Sequence, residues 1–372
     1  MLKFKQLLLF SLVFIVFNGL LFYIGWNGWV FLSTAFGFQT LWLYSILIAV
    51  LSYAFIIGRA SKRLSVFTSL SYLWFGVIQY GLILLPLANI IFFLLTLTSI
   101  PKETAILSVG TVTGLIFIGI YLFGLFNAYM PVVRKHEITV PKKKGNLDKL
   151  RIAVASDMHF GRLSGRSHLR RLVRKMNDIK PDLILLPGDI IDDEPEPFIE
   201  KNMGALMGEL EAPLGIFGVL GNHEYYGGKI PQFVEEMKKI DIDIMMDDIL
   251  KIEDSFYLVG RKDRTDKYRK PISELIESLD LSYPIIAMDH QPYELKQAQE
   301  SGVDILLSGH THRGQMAPNH FITKKMYELD WGYLKKEQLH AFVSSGFGFW
   351  GPPLRIGSRS EILQIDVTFT NS

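Results

Sequence analysis

The chain has no cysteine among its 372 residues. Disulfides, thiolate metal sites and a cysteine nucleophile are therefore excluded, while the redox compartment is left open. Charge is nearly missing from the first third. Of 39 basic and 37 acidic side chains, only Lys3, Lys5, Arg59, Lys62, Arg63, Lys102 and Glu103 precede residue 134. The remainder is slightly acidic, so it carries no basic excess to support non-specific nucleic-acid binding, and no nucleic-acid partner is expected. Internal repeats and low-complexity tracts are lacking as well. The length exceeds what one compact core needs, and two structural units are expected.

The first third, residues 1–133, reads as a bundle of transmembrane helices. Crossing the hydrocarbon core takes roughly 20 apolar residues as helix, and four segments qualify, at about 7–26, 37–58, 67–98 and 105–129. Lys3 and Lys5 before an apolar run also suit a signal peptide, but the run is long for one and no small-x-small cleavage site follows. Basic residues cluster before the first span, between the second and third (Arg59, Lys62, Arg63), and after the fourth (Arg134, Lys135, Lys142, Lys143, Lys144). That distribution predicts a multi-pass protein of the cell membrane with its soluble domain in the cytoplasm. The competing count is five spans: the uncharged stretch Leu64 to Pro101, interrupted by Pro86, is either one tilted, kinked helix or two short ones. Five spans would put Lys142 to Lys144 on the wrong side. No acidic residue or histidine lies within a span, which argues against ion-coupled transport. The bundle reads as an anchor or a lipid-access scaffold, with the lipid bilayer as its partner.

Residues 134–150 read as a basic linker, and from 151 to 372 the pattern is that of a soluble α/β domain. Short apolar runs end in polar clusters five times: Arg151–Ala155 before Asp157 and His159, Leu183–Leu186 before Asp189 and Asp192, Ile216–Leu220 before Asn222 and His223, Ile285–Met288 before His290, and Ile305–Leu307 before His310 and His312. Runs of this kind read as buried strands. Leu169, Leu172, Val173, Met176 and Ile179 form a helical stripe, and Pro231–Ile240 gives a shorter helix. Strand–helix alternation implies an α/β sheet, with ligands beyond the carboxyl ends of the strands.

Each motif alone has an ordinary reading. Asp-x-His and Gly-Asp are common turns, Asn222 suits a helix cap, and a single histidine such as His290 is usually a core residue. Together, each at a strand end, they form a metal-ligand set. Carboxylates, histidines and one amide without thiolate suit Mn, Fe or Zn. Seven candidates (Asp157, His159, Asp189, Asn222, His290, His310, His312) are too many for one ion. They fit two divalent metal ions sharing a bridging carboxylate, with manganese favoured.

The series DMH, GDIID, GNHE, a lone histidine and GHTH resembles the calcineurin-like metallophosphoesterase superfamily across residues 151–372. The segment Gly346 to Arg355 is similar to a membrane-associated subgroup with bacterial and animal transmembrane members. Arg313 departs from that subgroup, which often has glycine after GHTH. The resemblance implies two mixed β-sheets flanked by helices. It also implies that Asp157, His159 and His312 hold one metal, that Asn222, His290 and His310 hold the other, and that Asp189 bridges. A bridging hydroxide would attack phosphorus in line with the leaving oxygen, making the chain a metal-dependent hydrolase of the phosphodiesterase or pyrophosphatase type. His223 matches the family's catalytic histidine, which stabilises the transition state or protonates the leaving group. The alternative is a histidine that only positions Asn222 or Asp192. Asp192 is expected to orient His223 or a ligand, and Arg313 and Arg355 are candidates for substrate contact or for supporting the ligands.

Two further features bear on substrate. Arg170, Arg171, Arg174 and Lys175 surround the apolar stripe of the helix opening at Arg166, either as a solvated face or as a site for a second phosphate. Phe347, Phe349 and Trp350 either reach the membrane interface or pack in the core. With the anchor, these favour an amphiphilic phosphorylated substrate, a lipid-linked sugar nucleotide before a phospholipid diester. The sequence names no protein partner. The alternatives are a catalytically inactive sensor or scaffold and a transporter with a regulatory domain.

Overall fold

Long apolar runs without charge can satisfy their backbone groups in lipid only as helices, and the first elements are helical. They are α1 (Leu2–Phe36), α2 (Leu41–Ser52), α3 (Ala54–Arg59), α4 (Ser65–Thr96) and α5 (Lys102–Tyr129). The computed structural model describes residues 2–60 and 64–371; Lys62 and Arg63 of the loop-charge argument lie outside the described residues. The chain divides into two units, Met1–Leu122 and Phe123–Ser372.

Within the first unit, three helices among the described residues are long and apolar enough to cross a membrane: Lys5–Phe36, Val66–Thr96 and Lys102–Tyr129. The segment expected as a span over 37–58 differs. It is two short helices broken at Tyr53, which leaves helical geometry (φ −103°, ψ 9°). The Tyr53 hydroxyl donates to Asn18 Oδ1 at 2.8 Å. The stretch around Pro86 is one helix with the proline inside it. Polar groups are paired between helices: Tyr44 donates to the Gly25 carbonyl and Asn89 to the Tyr23 hydroxyl, each at 2.8 Å. Such pairs replace the water that lipid withholds.

The second unit carries twelve strands. In chain order these are β1 (Val132–Val140), β2 (Lys149–Val154), β3 (Leu183–Pro187), β4 (Ile216–Val219), β5 (Ile242–Met245), β6 (Asp248–Ile252), β7 (Phe256–Gly260), β8 (Ile285–Met288), β9 (Ile305–Ser308), β10 (Gly332–Lys336), β11 (Leu339–Val343) and β12 (Glu361–Phe369). They form two six-stranded mixed sheets, ordered β1-β12-β2-β3-β4-β5 and β10-β11-β9-β8-β7-β6. The stretch read as a linker is therefore partly structural, since β1 pairs in parallel with β12 from Val132↔Glu361 to Val140↔Phe369. Its only sequence signal is the short alternation Glu137-Ile138-Thr139-Val140, exposed and buried in turn.

Side-chain alternation builds the layers. Leu183 and Leu185 of β3 face the inter-sheet core with Ile152, Val219, Leu258, Met288 and Leu307. Ile184 and Leu186 face the other way, onto Leu169, Leu172 and Met176 of helix α6 (Arg166–Ile179). Arg170 and Arg174 on α6 are exposed, while Arg171 and Lys175 are half-buried. Parallel pairing of β2, β3 and β4 in one sheet and of β7, β8 and β9 in the other aligns their carboxyl ends. The five polar clusters follow those ends.

Candidate metal centre

The loops after β2 and β9 meet first. His159 Nε2 and His312 Nε2 lie 3.0 Å apart, and His312 Nε2 is 3.6 Å from Asp157 Oδ1. Asp157, His159 and His312 are all buried and form one group whose ligand atoms converge. Asp157 Oδ1 accepts the His310 amide at 2.7 Å, while its buried Oδ2 has no hydrogen-bond partner.

The loops after β3, β4, β8 and β9 build a second group around Asp189, His290 and His310. His290 Nε2 lies 3.2 Å from Asp189 Oδ2 and 3.2 Å from Asn222 Oδ1. His310 Nδ1 lies 2.8 Å from the same Asn222 oxygen. His290 Nδ1 meets the Pro187 carbonyl at 2.8 Å, which turns Nε2 toward the centre. Asp189 also approaches the first group, with its Oδ2 3.8 Å from His159 Nε2.

The electrostatics suit cations. Burial, then the neighbouring His223, His290 and Arg355, holds His159 well below the ordinary imidazole value. His312 is held low by burial, His159 and Arg355. Both rings are thus neutral, with lone pairs available to a metal. Burial raises Asp189, but the charge and hydrogen bond of His290 outweigh it and hold the carboxyl well below the usual range. Burial pushes Asp157 up to about 6. An unpartnered buried carboxylate oxygen, facing neutral imidazoles and an ionised aspartate are the donor set of a divalent-cation site.

Five of the seven candidate ligands also have left-handed backbones: Asp157 (φ 51°), His159 (44°), Asp189 (51°), His310 (70°) and His312 (47°). Such geometry costs of order 1–3 kcal/mol per residue and collects at functional sites. The glycines of the motifs let the loops close. A Cβ on Gly309 would overlap Asp157 Oδ2, and one on Gly221 would overlap Asp189 Oδ1.

His223 stands beside the first group, its ring centroid 4.6 Å from that of His159. Its Nδ1 bonds Asp193 Oδ1 at 2.7 Å, whereas Asp192 Oδ1 is 3.8 Å away. The carboxylate hydrogen-bonded to His223 is therefore Asp193, so of the two roles expected of Asp192, beside His223 or beside a ligand, the second is the one left to it. Asp192 stands between His223 and His159, 4.0 Å from His159 Nδ1, and burial pushes it up to about 6. Burial lowers the His223 pKa, but the Asp193 hydrogen bond and the charges of Asp189, Asp193 and Asp192 bring it up to about 9.

Glu224 is a further residue that the motif reading passed over. Its carboxylate accepts the amides of Gly221 (2.7 Å), Ile191 (3.0 Å) and Asp189 (3.2 Å), tying the loops after β3 and β4 together. The glutamate of GNHE was the available signal.

Arg355 is fully buried, so it does not face substrate. Its guanidinium donates to the carbonyls of Gly346 (3.1 Å) and Gly348 (2.6 Å) and stands 3.2 Å from His312 Nδ1. Arg313 stacks its guanidinium 4.0 Å above the Trp331 ring. Its φ of 51° lies in the left-handed region, which favours glycine. Phe347 and Phe349 are core residues, while Trp350 is exposed. The rings of Tyr226 and Trp350 lie 5.6 Å and 6.3 Å from that of His223.

The calcineurin-like phosphoesterase profile matches residues 150–314. The transmembrane protein with metallophosphoesterase domain of Danio rerio is 32% identical over 260 residues, covering 66% of this chain and 59% of its own length. The protein of that name in Bos taurus is 29% identical over 261 residues, covering 65% of this chain and 58% of its own. The chain thus spans less than two thirds of these two relatives. An uncharacterized metallophosphoesterase of Helicobacter pylori strain J99 is 32% identical over 258 residues, covering 66% of this chain and 68% of its own length. With its motif order, its two-sheet domain and three helices long enough to cross a membrane, the chain belongs to the calcineurin-like phosphoesterase family as a membrane-associated member.

Proposed function

We propose that the chain is a membrane-anchored, two-metal phosphoesterase. It hydrolyses a phosphoester or pyrophosphate bond of an amphiphilic, lipid-linked substrate by in-line attack of water activated at the centre. The observation that carries this reading is the placement of Asp189, 3.2 Å from His290 Nε2 on one side and 3.8 Å from His159 Nε2 on the other. Asp157, His159 and His312 would hold one cation, Asn222, His290 and His310 the other, and Asp189 both. Two divalent cations, manganese before iron or zinc, supply a lowered pKa for water and neutralise charge on the phosphoryl oxygens.

The chain's own groups do the rest. His223, kept protonated by Asp193, holds a proton at the edge of the centre for the leaving oxygen. Tyr226 and Trp350 flank it with apolar surface, which supports a substrate with an apolar part. The apolar helices support a lipid origin for that part. For the membrane topology, α2 and α3 together are read as one kinked crossing. That gives four passes and a cytoplasmic domain, in keeping with the basic residues after α5.

The test is hydrolysis of bis(p-nitrophenyl) phosphate by the full chain in detergent, with Mn²⁺ supplied or chelated, beside Asp189→Asn and His223→Asn. Turnover that needs metal and disappears in both variants is expected. Absence of both turnover and bound metal would overturn the reading and leave an inactive sensor.

A further inference from the structure

The helix His320–Met326 has no buried residue. Phe321, Ile322 and Met326 are 67%, 61% and 56% exposed, and Trp350 nearby is 60% exposed, which is too much apolar surface for so short a stretch to leave in water. Ile322 and Met326 are one turn apart and share a helix face, with Phe321 beside them. Lys324 and Lys325 sit in the last turn. The helix is tied down from behind, where Thr323 Oγ1 donates to Asp330 Oδ2 at 2.7 Å.

The neighbours of this helix say what covers it. Just before it, Met316 bridges Ile356 and Gly357, and the Ala317 amide donates to the Ile356 carbonyl at 2.7 Å. Leu354 and Ile356 in turn crowd Gly124 of α5, whose carbonyl accepts the Arg355 amide at 3.1 Å. Gln315 is bonded to Trp350 in both directions at 2.9 Å, its Nε2 to the Trp350 carbonyl and its Oε1 from the Trp350 amide. Segments 315–326 and 350–357 therefore form one surface attached to the end of α5.

A helix of 28 residues is about 42 Å long, against a hydrocarbon core of ~30 Å. If α5 crosses the bilayer it is longer than that core, and Gly124 to Tyr129, followed by the basic Arg134 and Lys135, would form its interfacial end. Arg359 stacks its guanidinium 5.1 Å from the exposed Phe126 ring and donates to the Met130 carbonyl. Exposed aromatic and aliphatic side chains beside basic residues are the composition of a membrane-interface belt.

We infer that the helix His320–Met326, with Trp350, is a membrane-docking surface. Phe321, Ile322 and Met326 enter the headgroup–acyl boundary, and Lys324 and Lys325 pair with anionic lipid. Trp350 joins this surface to the edge of the site, where its ring lies 6.3 Å from that of His223. Docking thus holds the mouth of the centre at the bilayer surface, where the headgroup of a lipid substrate lies. The docking itself does not depend on the catalytic reading.

The absence of cysteine makes the test direct. Full-length Ile322→Cys carries one environment-sensitive fluorophore in nanodiscs containing phosphatidylglycerol. Lys239→Cys and Lys296→Cys, at exposed side chains on other faces, are controls. Brominated acyl chains are expected to quench the label at 322 and neither control, and aqueous iodide to quench it roughly threefold less than the controls. Iodide quenching equal to the controls would overturn the docking surface. Protection from both iodide and bromolipid would also overturn it, because a protein face, such as a second copy of the chain, would then cover the helix. A loss of bromolipid quenching with Lys324→Gln and Lys325→Gln together is expected from the anionic pairing. Unchanged quenching would remove that part of the inference.

Discussion

His223 Nδ1 bonds Asp193 Oδ1 at 2.7 Å while the neighbouring Asp192 stays 3.8 Å away. Adjacent carboxylates thus have different duties: Asp193 aims the ring, and Asp192 stands between His223 and His159. The bond favours the charged form of the histidine, and in the proposed reaction Nε2 would serve the leaving oxygen.

His223→Asn is expected to retain both metals and to lose turnover by on the order of 10²–10⁴-fold. Asp193→Asn should cost about 10–100-fold with metal content unchanged. The double variant should be no worse than His223→Asn alone, because the pair acts through one ring. Full additivity in turnover, measured with metal content checked by mass spectrometry, would show that Asp193 acts elsewhere.

Gly309→Ala and Gly221→Ala probe the crowding behind the two aspartates. Each new methyl group would displace a carboxylate oxygen, that of Asp157 or that of Asp189. Both variants are expected to fold and to bind less divalent metal, and Gly221→Ala to affect both cations. Wild-type metal stoichiometry in either variant would contradict the assigned ligand positions.

Arg355 holds the loop behind His312 through the carbonyls of Gly346 and Gly348. Arg355→Gln takes the guanidinium donors from the Gly348 carbonyl and one of two donors from the Gly346 carbonyl, which still accepts the Glu361 amide, a loss of about 1–3 kcal/mol. Arg355→Lys is not expected to restore stability, since an ammonium cannot reproduce the planar fork. The melting temperature of each variant checks this, and full rescue by lysine would reduce the role to charge alone.

His168 predicts a pH effect. It is buried against Phe347, with ring centroids 4.2 Å apart. Burial, with Arg171 and Arg355 adding to it, lowers its pKa to about 4 despite the contact of Nε2 with the Phe347 carbonyl. The unfolded chain takes up this proton near the ordinary value of 6.5, the folded chain only near 4. The contribution is therefore complete above pH 6.5 and is lost as pH falls toward 4, up to about 3 kcal/mol. His168→Phe should show a shallower loss of stability between pH 7 and 4.5 in chelator, read by thermal unfolding. Parallel pH dependence in the two proteins would refute the burial argument.

Much of the soluble domain was legible because its signals are local. Apolar runs of three to five residues marked β2, β3, β4, β8 and β9, and each was followed at once by its polar cluster. The stripe on α6 was readable for the same reason. Strands β5, β6, β7, β10, β11 and β12, which no such polar cluster follows, were not marked, and three further features were not legible either. The break at Tyr53 lies inside a uniformly apolar run, where composition carries no boundary. Strand β1 looked like a linker because its partner, β12, begins more than two hundred residues later at Glu361. Among the aromatic residues near position 350, only the fold separates the buried Phe347 and Phe349 from the exposed Trp350.

By itself the sequence determined which chemical groups the site owns and in what order they arrive, since ligand identity and strand-end spacing are properties of short segments. It determined the apolar helices as well, because lipid demands them wherever charge is missing over some 20 residues. Only the tertiary structure decided which groups meet. His159 and His312 are 153 residues apart in the chain and 3.0 Å apart in space, and Asn222 and His290 are separated by 68 residues and 3.2 Å. The left-handed turns at five ligands, the choice of Asp193 over Asp192 and the burial of Arg355 belong to the same level. They follow from two sheets packing face to face around a shared core, and no local segment encodes that packing.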